Sequence, residues 1–163
     1  MGKTHNRYSF IVNGLLVTIS ISHLPNKTAS SRRINNRKTP SPNDKKELEM
    51  FVKNKVIVVT GAASGIGLAL AERFINEGAE AVFIADINEQ KLNSVAEKIG
   101  AIPIVTDVSN EDQVKNLITT AEAHNGHIDL LCCNAGILLE GGTEVANEVW
   151  QKMWEINVFA HVL

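Results

Sequence analysis

The chain has 163 residues, of which 44% are hydrophobic and 21% are charged, and this is the composition of one ordinary globular domain. Its net charge of −2 is unevenly distributed, because residues 1–43 carry +7 with no acid, whereas residues 44–163 carry −9 and contain all 18 acids. Two cysteines without a larger framework suit a reducing compartment and give no support to a disulfide-stapled secreted domain.

The basic segment, residues 1–49, allows more than one interpretation. A positive flank before the mostly apolar residues 8–22 loosely fits a secretory signal, and the acid-free stretch up to residue 37 resembles an organelle transit peptide. Against both, apolar and polar residues alternate over residues 17–22 with the period of a strand. The apolar run is too short and too polar to span a bilayer. The segment also lacks the aromatic interleaving or amphipathic helix of a nucleic-acid or membrane surface.

A polar, proline-containing stretch over residues 26–44 predicts a disordered linker. We therefore expect residues 1–49 to be a disordered or targeting-like extension that is not part of the fold, and residues 50–163 to form the domain. Met50 offers an alternative translation start at this boundary. The expected compartment is the cytoplasm, or an organelle if the basic segment directs the chain there.

The domain begins with a strand, a glycine turn and a helix. Residues 56–59 read Val-Ile-Val-Val, a β-branched run typical of a strand buried on both faces of a parallel sheet. Three glycines follow at the spacing Gly-x3-Gly-x-Gly, and beyond them Leu70, Phe74 and Ile75 recur at helical spacing. The unpaired N–H groups and the positive dipole end at the start of such a helix attract an anion.

Each glycine of this turn has a predicted task. Gly61 lets the backbone leave the strand sharply, Gly65 lets the chain approach a pyrophosphate, and Gly67 lets the helix pack close to the sheet. No Lys-Ser or Lys-Thr pair follows, so the turn is not an ATP-binding P-loop. The alternative is a turn of small residues that serves only packing.

An acidic residue ends the second strand of the domain. Residues 81–85 form another apolar run, and Asp86 lies 19 residues after Gly67. A carboxylate at this place can accept hydrogen bonds from an adenosine ribose 2′-hydroxyl and repels the 2′-phosphate of NADP, so NAD is the expected cofactor. Capping of the helix that begins near Asn88 is a compatible second role for Asp86.

Strands and helices alternate to the end of the chain. Strands are predicted at about residues 55–60, 81–85, 101–105 and 128–133, and helices at about residues 66–77, 88–99, 110–124 and 146–160. This alternation predicts an α/β fold with a doubly wound, Rossmann-like parallel sheet in the order 3-2-1-4, truncated after the fourth strand and its following helix. The cofactor is expected across the carboxyl ends of these strands.

Four motifs in this order resemble those of the short-chain dehydrogenase/reductase family. Residues 60–67, Thr-Gly-Ala-Ala-Ser-Gly-Ile-Gly, resemble its TGxxxGIG cofactor motif, and Asp107-Val108 resembles its adenine-contacting pair. Asn134-Ala135-Gly136 resembles the end of its Asn-Asn-Ala-Gly motif, and Asn157 resembles the Asn of its catalytic tetrad. The resemblance covers residues 53–163.

The resemblance implies an NAD-dependent oxidoreductase that transfers hydride between an alcohol or carbonyl substrate and nicotinamide. The cofactor-binding residues that it implies are Gly61, Ser64, Gly65, Ile66, Gly67, Asp86, Asp107, Val108, Asn134, Ala135 and Gly136. Asp107 would bind the adenine amino group, with a helix cap as the alternative, and Asn134 would brace neighbouring strands. Cys133 stands where the family often has a first Asn, which affects one side-chain hydrogen bond and not the whole site.

Part of the family's catalytic set is absent from this chain. The family uses a Ser and a Tyr-x3-Lys pair, in which nearby positive charge lowers the pKa of the Tyr so that it can move a proton. The one tyrosine here, Tyr8, lies outside the domain and has Val12 four residues later. Only Asn157, a relay residue, is present, so we expect the chain to be inactive alone. The alternative function is an inactive fragment that binds NAD or interferes with dimers.

The remaining expectations concern metals, cysteines and partners. No set of ligands points to a metal, and Cys132 and Cys133 are expected to be buried thiols on opposite faces of a strand. The complete form would act on a small-molecule alcohol or carbonyl compound. A homo-oligomer is left open, and neither nucleic acid nor a membrane span is expected.

Overall fold

The computed structural model describes residues 6–12, 15–21, 52–142 and 144–163. Its strands are β1 (Asn6–Val12), β2 (Leu15–Ile21), β3 (Val56–Thr60), β4 (Ala81–Asp86), β5 (Ile102–Val105) and β6 (Leu130–Cys133). They form one sheet in the order β1-β2-β6-β3-β4-β5. Within it, β3 pairs in parallel with both β4 and β6, and β4 pairs in parallel with β5.

The helices of the described chain alternate with the strands of the parallel part. They are α1 (Gly65–Asn76), α2 (Glu89–Ile99), α3 (Glu111–Asn125), α4 (Asn147–Asn157) and a 3₁₀ helix at Phe159–His161. Asn88 and Asn110 cap α2 and α3, because their side chains accept hydrogen bonds from backbone N–H groups of the first turn. None of these helices is both long and apolar enough to cross a membrane.

β3 is buried along its whole length because helices cover both faces of the sheet. Ile57 and Val59 pack in one cluster with residues of α1 and α2, and Val56 and Val58 pack in a second cluster with residues of α3. All four side chains are excluded from solvent. The β-branched run therefore supplies alternate side chains to two cores, as the sequence predicted.

The parallel part of the sheet confirms the predicted fold class and strand order. Its strands β5, β4, β3 and β6 are the third, second, first and fourth of the domain, which is the order 3-2-1-4. The largest difference from the predicted bounds is at the end of the chain. There α4 stops at Asn157 instead of near residue 160, because the backbone tightens into the 3₁₀ helix that follows.

Two stretches of the N-terminal segment belong to the same sheet, which corrects the expectation that residues 1–49 stand outside the fold. β1 and β2 form an antiparallel hairpin, and β2 pairs antiparallel with β6. The physical reason is that a strand edge presents unpaired N–H and C=O groups, which a further strand satisfies. The predicted linker at residues 26–44 lies outside the described residues, and the domain boundary at Met50 stays a prediction.

The two edges of the sheet differ in chemistry. On one side the hairpin register pairs Val12 with Leu15, so two residues connect β1 to β2. These two residues are outside the described chain, but their sequence, Asn-Gly, is the dipeptide most typical of a two-residue hairpin connection. On the other side β5 carries Pro103, whose nitrogen has no hydrogen to donate.

The adjacent cysteines of β6 point to opposite faces of the sheet, as predicted. Cys132 is buried in the cluster with α1 and α2, and burial raises the pKa of its thiol to about 12. Cys133 is only partly buried and lines an apolar cavity of about 160 Å³ together with Leu117 of α3 and residues near the chain end. The expectation of two buried thiols therefore holds for Cys132 alone.

Candidate functional site

A groove of about 140 Å³ lies at the carboxyl edge of the parallel strands. Four of the connections that leave β3, β4, β5 and β6 contribute to it, as the fold requires of a site at this edge. The lining residues are Gly61, Asp86, Ile87, Thr106, Asp107, Val108, Ala135, Gly136, Ile137 and Ile156. Six of the residues singled out in the sequence are among them: Gly61, Asp86, Asp107, Val108, Ala135 and Gly136.

The other residues singled out in the sequence surround the groove without lining it. Ser64, Gly65, Ile66 and Gly67 form the turn into α1, Asn134 is buried beneath that turn, and Asn157 lies at the end of α4. The structure thus divides the residues singled out in the sequence into those that form the groove wall and those that support it.

The turn into α1 leaves helix N–H groups available to a ligand. Ser64 precedes the helix with an extended backbone, and its side chain makes no capping hydrogen bond. The first N–H groups of a helix have no partner within the helix, so a bound anion can accept from them. Gly65 has φ +58°, and a Cβ built on it would meet no atom within 4 Å, so the turn borders open space.

Gly67 has the opposite surroundings. A Cβ at this position would lie 2.6 Å from the Asn134 side-chain nitrogen and would collide with the carbonyl group of Gly61. The start of α1 therefore sits against the end of β3 at a distance that only glycine permits. This agrees with the close helix packing that the sequence predicted for Gly67.

Thr60 and Asn134 join β3 to β6 directly below the turn. Asn134 donates from its side chain to the carbonyl oxygens of Thr60 at 3.0 Å and Gly61 at 3.3 Å. The Thr60 hydroxyl oxygen accepts from the backbone N–H groups of Asn134 at 3.0 Å and Ala135 at 3.1 Å. Asn134 therefore braces two strands, as the resemblance implied, whereas the part played by Thr60 was missed. Its one signal in the sequence is a hydroxyl residue at the end of a fully apolar strand.

Asp86 connects the end of β4 to the glycine turn. One carboxylate oxygen accepts from the backbone N–H of Ala63 at 3.1 Å, and the other accepts from that of Asn88 at 3.0 Å. The carboxylate thus lies between the turn and the start of α2, at the rim of the groove. The helix cap is Asn88, so the expectation that Asp86 caps α2 is wrong.

Asp107 lies at the far end of the groove, after β5. One of its carboxylate oxygens accepts from the backbone N–H of Ser109 at 2.9 Å and from its hydroxyl at 2.6 Å. The cap of α3 is Asn110, three residues further on, so the alternative in which Asp107 or Ser109 starts that helix is also wrong. The carboxylate orders its own loop and remains on the groove wall.

Asn157 holds the segment that follows β6. Its side-chain oxygen accepts from the N–H of Ile137 and its side-chain nitrogen donates to the carbonyl of the same residue, both at 2.8 Å. This pair ties the end of α4 to the groove wall at Ile137. The amide of Asn157 is therefore committed to the backbone, and the relay role implied by the resemblance would fall to other atoms of this residue.

A buried carboxylate at the amino edge of the sheet lies away from the groove. Asp129 accepts from the Lys55 ammonium at 2.8 Å and from the backbone N–H of Val56 at 2.9 Å. Burial alone would raise the pKa of this carboxyl, but the two hydrogen bonds and the Lys55 charge outweigh it and hold the pKa below its usual value. This pair fixes the start of β3 and contributes nothing to the groove.

Comparison with known proteins decides the family. A family model described as short chain dehydrogenase matches residues 55–163, which is more than half of the chain. The chain belongs to the short-chain dehydrogenase family. This family is one of oxidoreductases that use a nicotinamide cofactor on small-molecule substrates, and the resemblance seen in the sequence is confirmed.

Three relatives illustrate the range of sequence identity. A short chain aldehyde dehydrogenase of Euphorbia lathyris is 36% identical over 69% of this chain and 41% of the relative. A 1-deoxy-11-beta-hydroxypentalenate dehydrogenase of Streptomyces arenae is 39% identical over 70% of this chain and 43% of the relative. A (+)-cis,cis-nepetalactol synthase of Nepeta racemosa is 45% identical over 69% of this chain and 43% of the relative.

The fold comparison agrees with the sequence comparison. A crystal structure of a short chain dehydrogenase from Mycobacterium smegmatis superposes with a TM-score of 0.64 at 29% identity, covering 69% of this chain and 49% of that one. The chain thus spans less than half the length of each of these proteins.

Proposed function

We propose that the groove binds NAD, and that the chain is the cofactor-binding part of an oxidoreductase that transfers hydride between an alcohol or carbonyl compound and nicotinamide. The observation that carries the proposal is the position of Asp86. Its carboxylate is bonded to the N–H of Ala63 within the glycine turn and faces a groove that leads to Asp107. An acidic side chain beside the uncapped start of α1 suits the ribose next to a pyrophosphate.

The turn into α1 would hold the pyrophosphate. Ser64, Gly65 and Ile66 bring the uncapped N–H groups of the helix to an open surface, and the first turn of α1 contains no acidic residue that would repel an anion. Gly65 matters here because a side chain would occupy the space from which phosphate oxygens approach these N–H groups.

The groove would hold the adenosine. Asp107 and Val108 offer a carboxylate and a backbone N–H for the adenine ring. The methyl group of Ala135 and the absence of a side chain at Gly136 leave room beside it. Among the residues that the structure describes, the lining contains two carboxylates and no Lys or Arg. This charge pattern favours the free 2′-hydroxyl of NAD over the 2′-phosphate of NADP, because a phosphate beside Asp86 would be repelled.

Bound NAD supplies the hydride acceptor, and the residues of this chain bind and orient it. Proton transfer to or from a substrate oxygen needs a group such as the family's Tyr-x3-Lys, which this sequence does not contain. We therefore propose that the chain alone binds NAD without turning over an alcohol, and this also describes the second candidate function, an inactive NAD-binding fragment.

Calorimetric titration with NAD and with NADP tests the proposal. We expect the dissociation constant for NADP to exceed that for NAD by about tenfold or more. Asp86→Asn keeps the size of the side chain but removes the charge, so the ratio should fall to about threefold or less. Asp112→Asn removes a charge from the exposed first turn of α3 and should leave the ratio unchanged.

Three results would each contradict a part of the proposal. Absence of heat with NAD and with ADP would refute a nucleotide site, and equal ratios in the native chain and Asp86→Asn would refute the role of Asp86. Formation of NADH from an alcohol by the purified chain would contradict the proposed lack of turnover.

A further inference from the structure

The hairpin of β1 and β2 extends beyond the carboxyl edge of the sheet. β2 pairs with β6 through four residues, from Ile21 opposite Leu130 to Thr18 opposite Cys133, which is the last residue of β6. Because the two strands are antiparallel, the next residues of β2, Val17 to Leu15, continue past that end. β1 accompanies them, with Phe10, Ile11 and Val12 opposite Val17, Leu16 and Leu15. Three residue pairs therefore overhang the edge, a length of about 10 Å.

The overhang lies on the β6 side of the groove. The groove wall crosses the ends of β5, β4 and β3 from Asp107 through Asp86 to Gly61, which is two strand spacings or about 10 Å. It continues to Ala135, Gly136 and Ile137 in the segment that follows β6. In a doubly wound sheet a dinucleotide lies across the strand ends, and its two halves fall on either side of the point where strand order reverses. Here this point is between β3 and β6.

The second half of a dinucleotide therefore has to lie over β6 and the strands beyond it. Nicotinamide riboside and adenosine are both a ring on a ribose, so the second half needs a similar span of about two strand spacings. On this side the two spacings reach from β3 over β6 to β2. From the register of β2 on β6, we expect a ligand that runs perpendicular to the strands to meet the overhang there.

We propose that this overhang makes the site selective for ligand length, so that the folded chain binds ADP readily and binds NAD only by displacing the hairpin. The inference rests on the proposed function, because it assumes that the groove takes adenosine. It assigns the N-terminal hairpin a role in specificity, as a barrier at the nicotinamide end of the site. The overhanging residues of β2 directly precede those that pair with β6. The barrier and the edge pairing therefore belong to the same hairpin.

A shortened hairpin separates the barrier from the edge pairing. Deleting residues 10–12 and 15–17 connects Ser9 to Thr18 through the original Asn-Gly dipeptide, and these two residues are already paired in the register. The four pairs that lie along β6 are kept, whereas the three that overhang are removed. The native chain is the matched reference, and the probes are ADP and NAD, each titrated calorimetrically.

We expect the shortened chain to bind NAD about tenfold more tightly than the native chain does, while its affinity for ADP changes by less than about twofold. An unchanged ratio of NAD to ADP affinity, with ADP still bound, would overturn this inference and leave the proposed function standing. Failure of the native chain to bind ADP would overturn the proposed function itself, and the inference with it.

Amide hydrogen exchange on the native chain provides a measurement that needs no variant. Saturation with ADP should leave the protection of residues 15–21 unchanged, whereas saturation with NAD should lower it, because NAD can bind only after the hairpin has moved. Equal protection of residues 15–21 under both ligands would refute the barrier.

Discussion

At Gly67 an added Cβ would collide with the carbonyl group of Gly61 and approach the side chain of Asn134, whereas at Gly65 it would enter open space. These two glycines lie in the same helical turn but have different functions. Gly67 permits close packing of α1 on β3, and Gly65 permits a positive φ beside the surface where a phosphate would bind. The substitution of each by alanine should therefore change different properties.

We predict that Gly67→Ala lowers the free energy of unfolding by about 1–3 kcal/mol, because the obstructing atoms are backbone and cannot move aside. Gly65→Ala should cost about 1–2 kcal/mol for its positive φ, and it should also weaken NAD binding. Gly100→Ala is the control, since Gly100 has φ +77° and open surroundings but lies at the end of α2. Urea unfolding and calorimetry measure the two properties.

Two outcomes would contradict these predictions. If Gly65→Ala and Gly100→Ala both left NAD affinity unchanged, the open space at Gly65 would have no bearing on the ligand. A Gly67→Ala chain as stable as the native one would show that α1 can shift away from the sheet without cost.

Glycine spacing and the carboxylate of Asp86 could be read from the sequence because each depends on a local rule. A glycine turn after a buried strand and an acid at the end of the next strand are both fixed by the chain order of one strand-helix-strand unit. The bond network of Thr60 could not be read, because its partners at Asn134 and Ala135 lie 74 and 75 residues away. Only the pairing of β3 with β6 brings them together.

At the scale of elements, the pairing of β2 with β6 decides whether the sheet has a protected edge. β6 has four residues, and all four are paired with β2. Without the hairpin the outer N–H and C=O groups of β6 would be left for water or for another chain. The hairpin is thus expected to contribute to stability and to keep the chain from associating through this edge.

Removal of residues 1–21 should lower the melting temperature by about 2–4 °C for each kcal/mol of lost pairing, and it should produce aggregates that scatter light on heating. Deletion of residues 30–39, which lie outside the described chain, is the matched control and should preserve the native melting temperature. Thermal unfolding followed by circular dichroism and light scattering distinguishes the two. A truncated chain that melts with the native one, without aggregation, would show that the hairpin stabilises nothing.

The hairpin was the least predictable element because two sequence patterns competed. Basic charge, a short apolar run and a proline-containing stretch suggested an extension, while residues 17–22 alternated as a strand. The Asn-Gly dipeptide between two apolar stretches is the local sign that favours a hairpin. Even so, no local rule could predict that β2 pairs with β6, whose residues lie more than 100 positions later in the chain.

At the scale of the whole molecule, apolar surface is concentrated near the end of the chain. Trp150 and Trp154 are 50% and 57% exposed on α4, and Phe159 and Val162 are 49% and 68% exposed just after it. Large aromatic side chains at this density are characteristic of protein interfaces. The homo-oligomer left open by the sequence would use this surface.

We predict that the chain self-associates through this surface at micromolar concentration, and that Trp154→Glu weakens the association by about tenfold or more, because it places a charge in an apolar contact. Leu138→Glu is the control, since Leu138 is 88% exposed but lies in the loop after β6. Sedimentation velocity at several concentrations provides the measurement. If both variants weakened the association equally, the added negative charge would be its cause, and no specific contact at Trp154 would be needed.

The overall architecture was the most predictable feature of the molecule. Each βα unit is specified by residues close in sequence, and the right-handed connection between parallel strands leaves few ways to arrange four of them. The positions of Asp86, Asp107 and Asn134 at one edge of the sheet follow from that arrangement alone. Which further strand completes the sheet does not follow, because it depends on which free edge finds a partner.

Pro103 in β5 makes the two borders of the sheet unequal as places where a further strand can pair. Strand-by-strand growth requires a donor and an acceptor row at both borders, but Pro103 interrupts the donor row on the β5 side. Among the described strands, β1 carries no proline and offers the better template for a strand from another copy. Two copies paired through their β1 borders would expose only β5 borders, where Pro103 disfavours a further strand, so we expect association of this kind to stop at a pair.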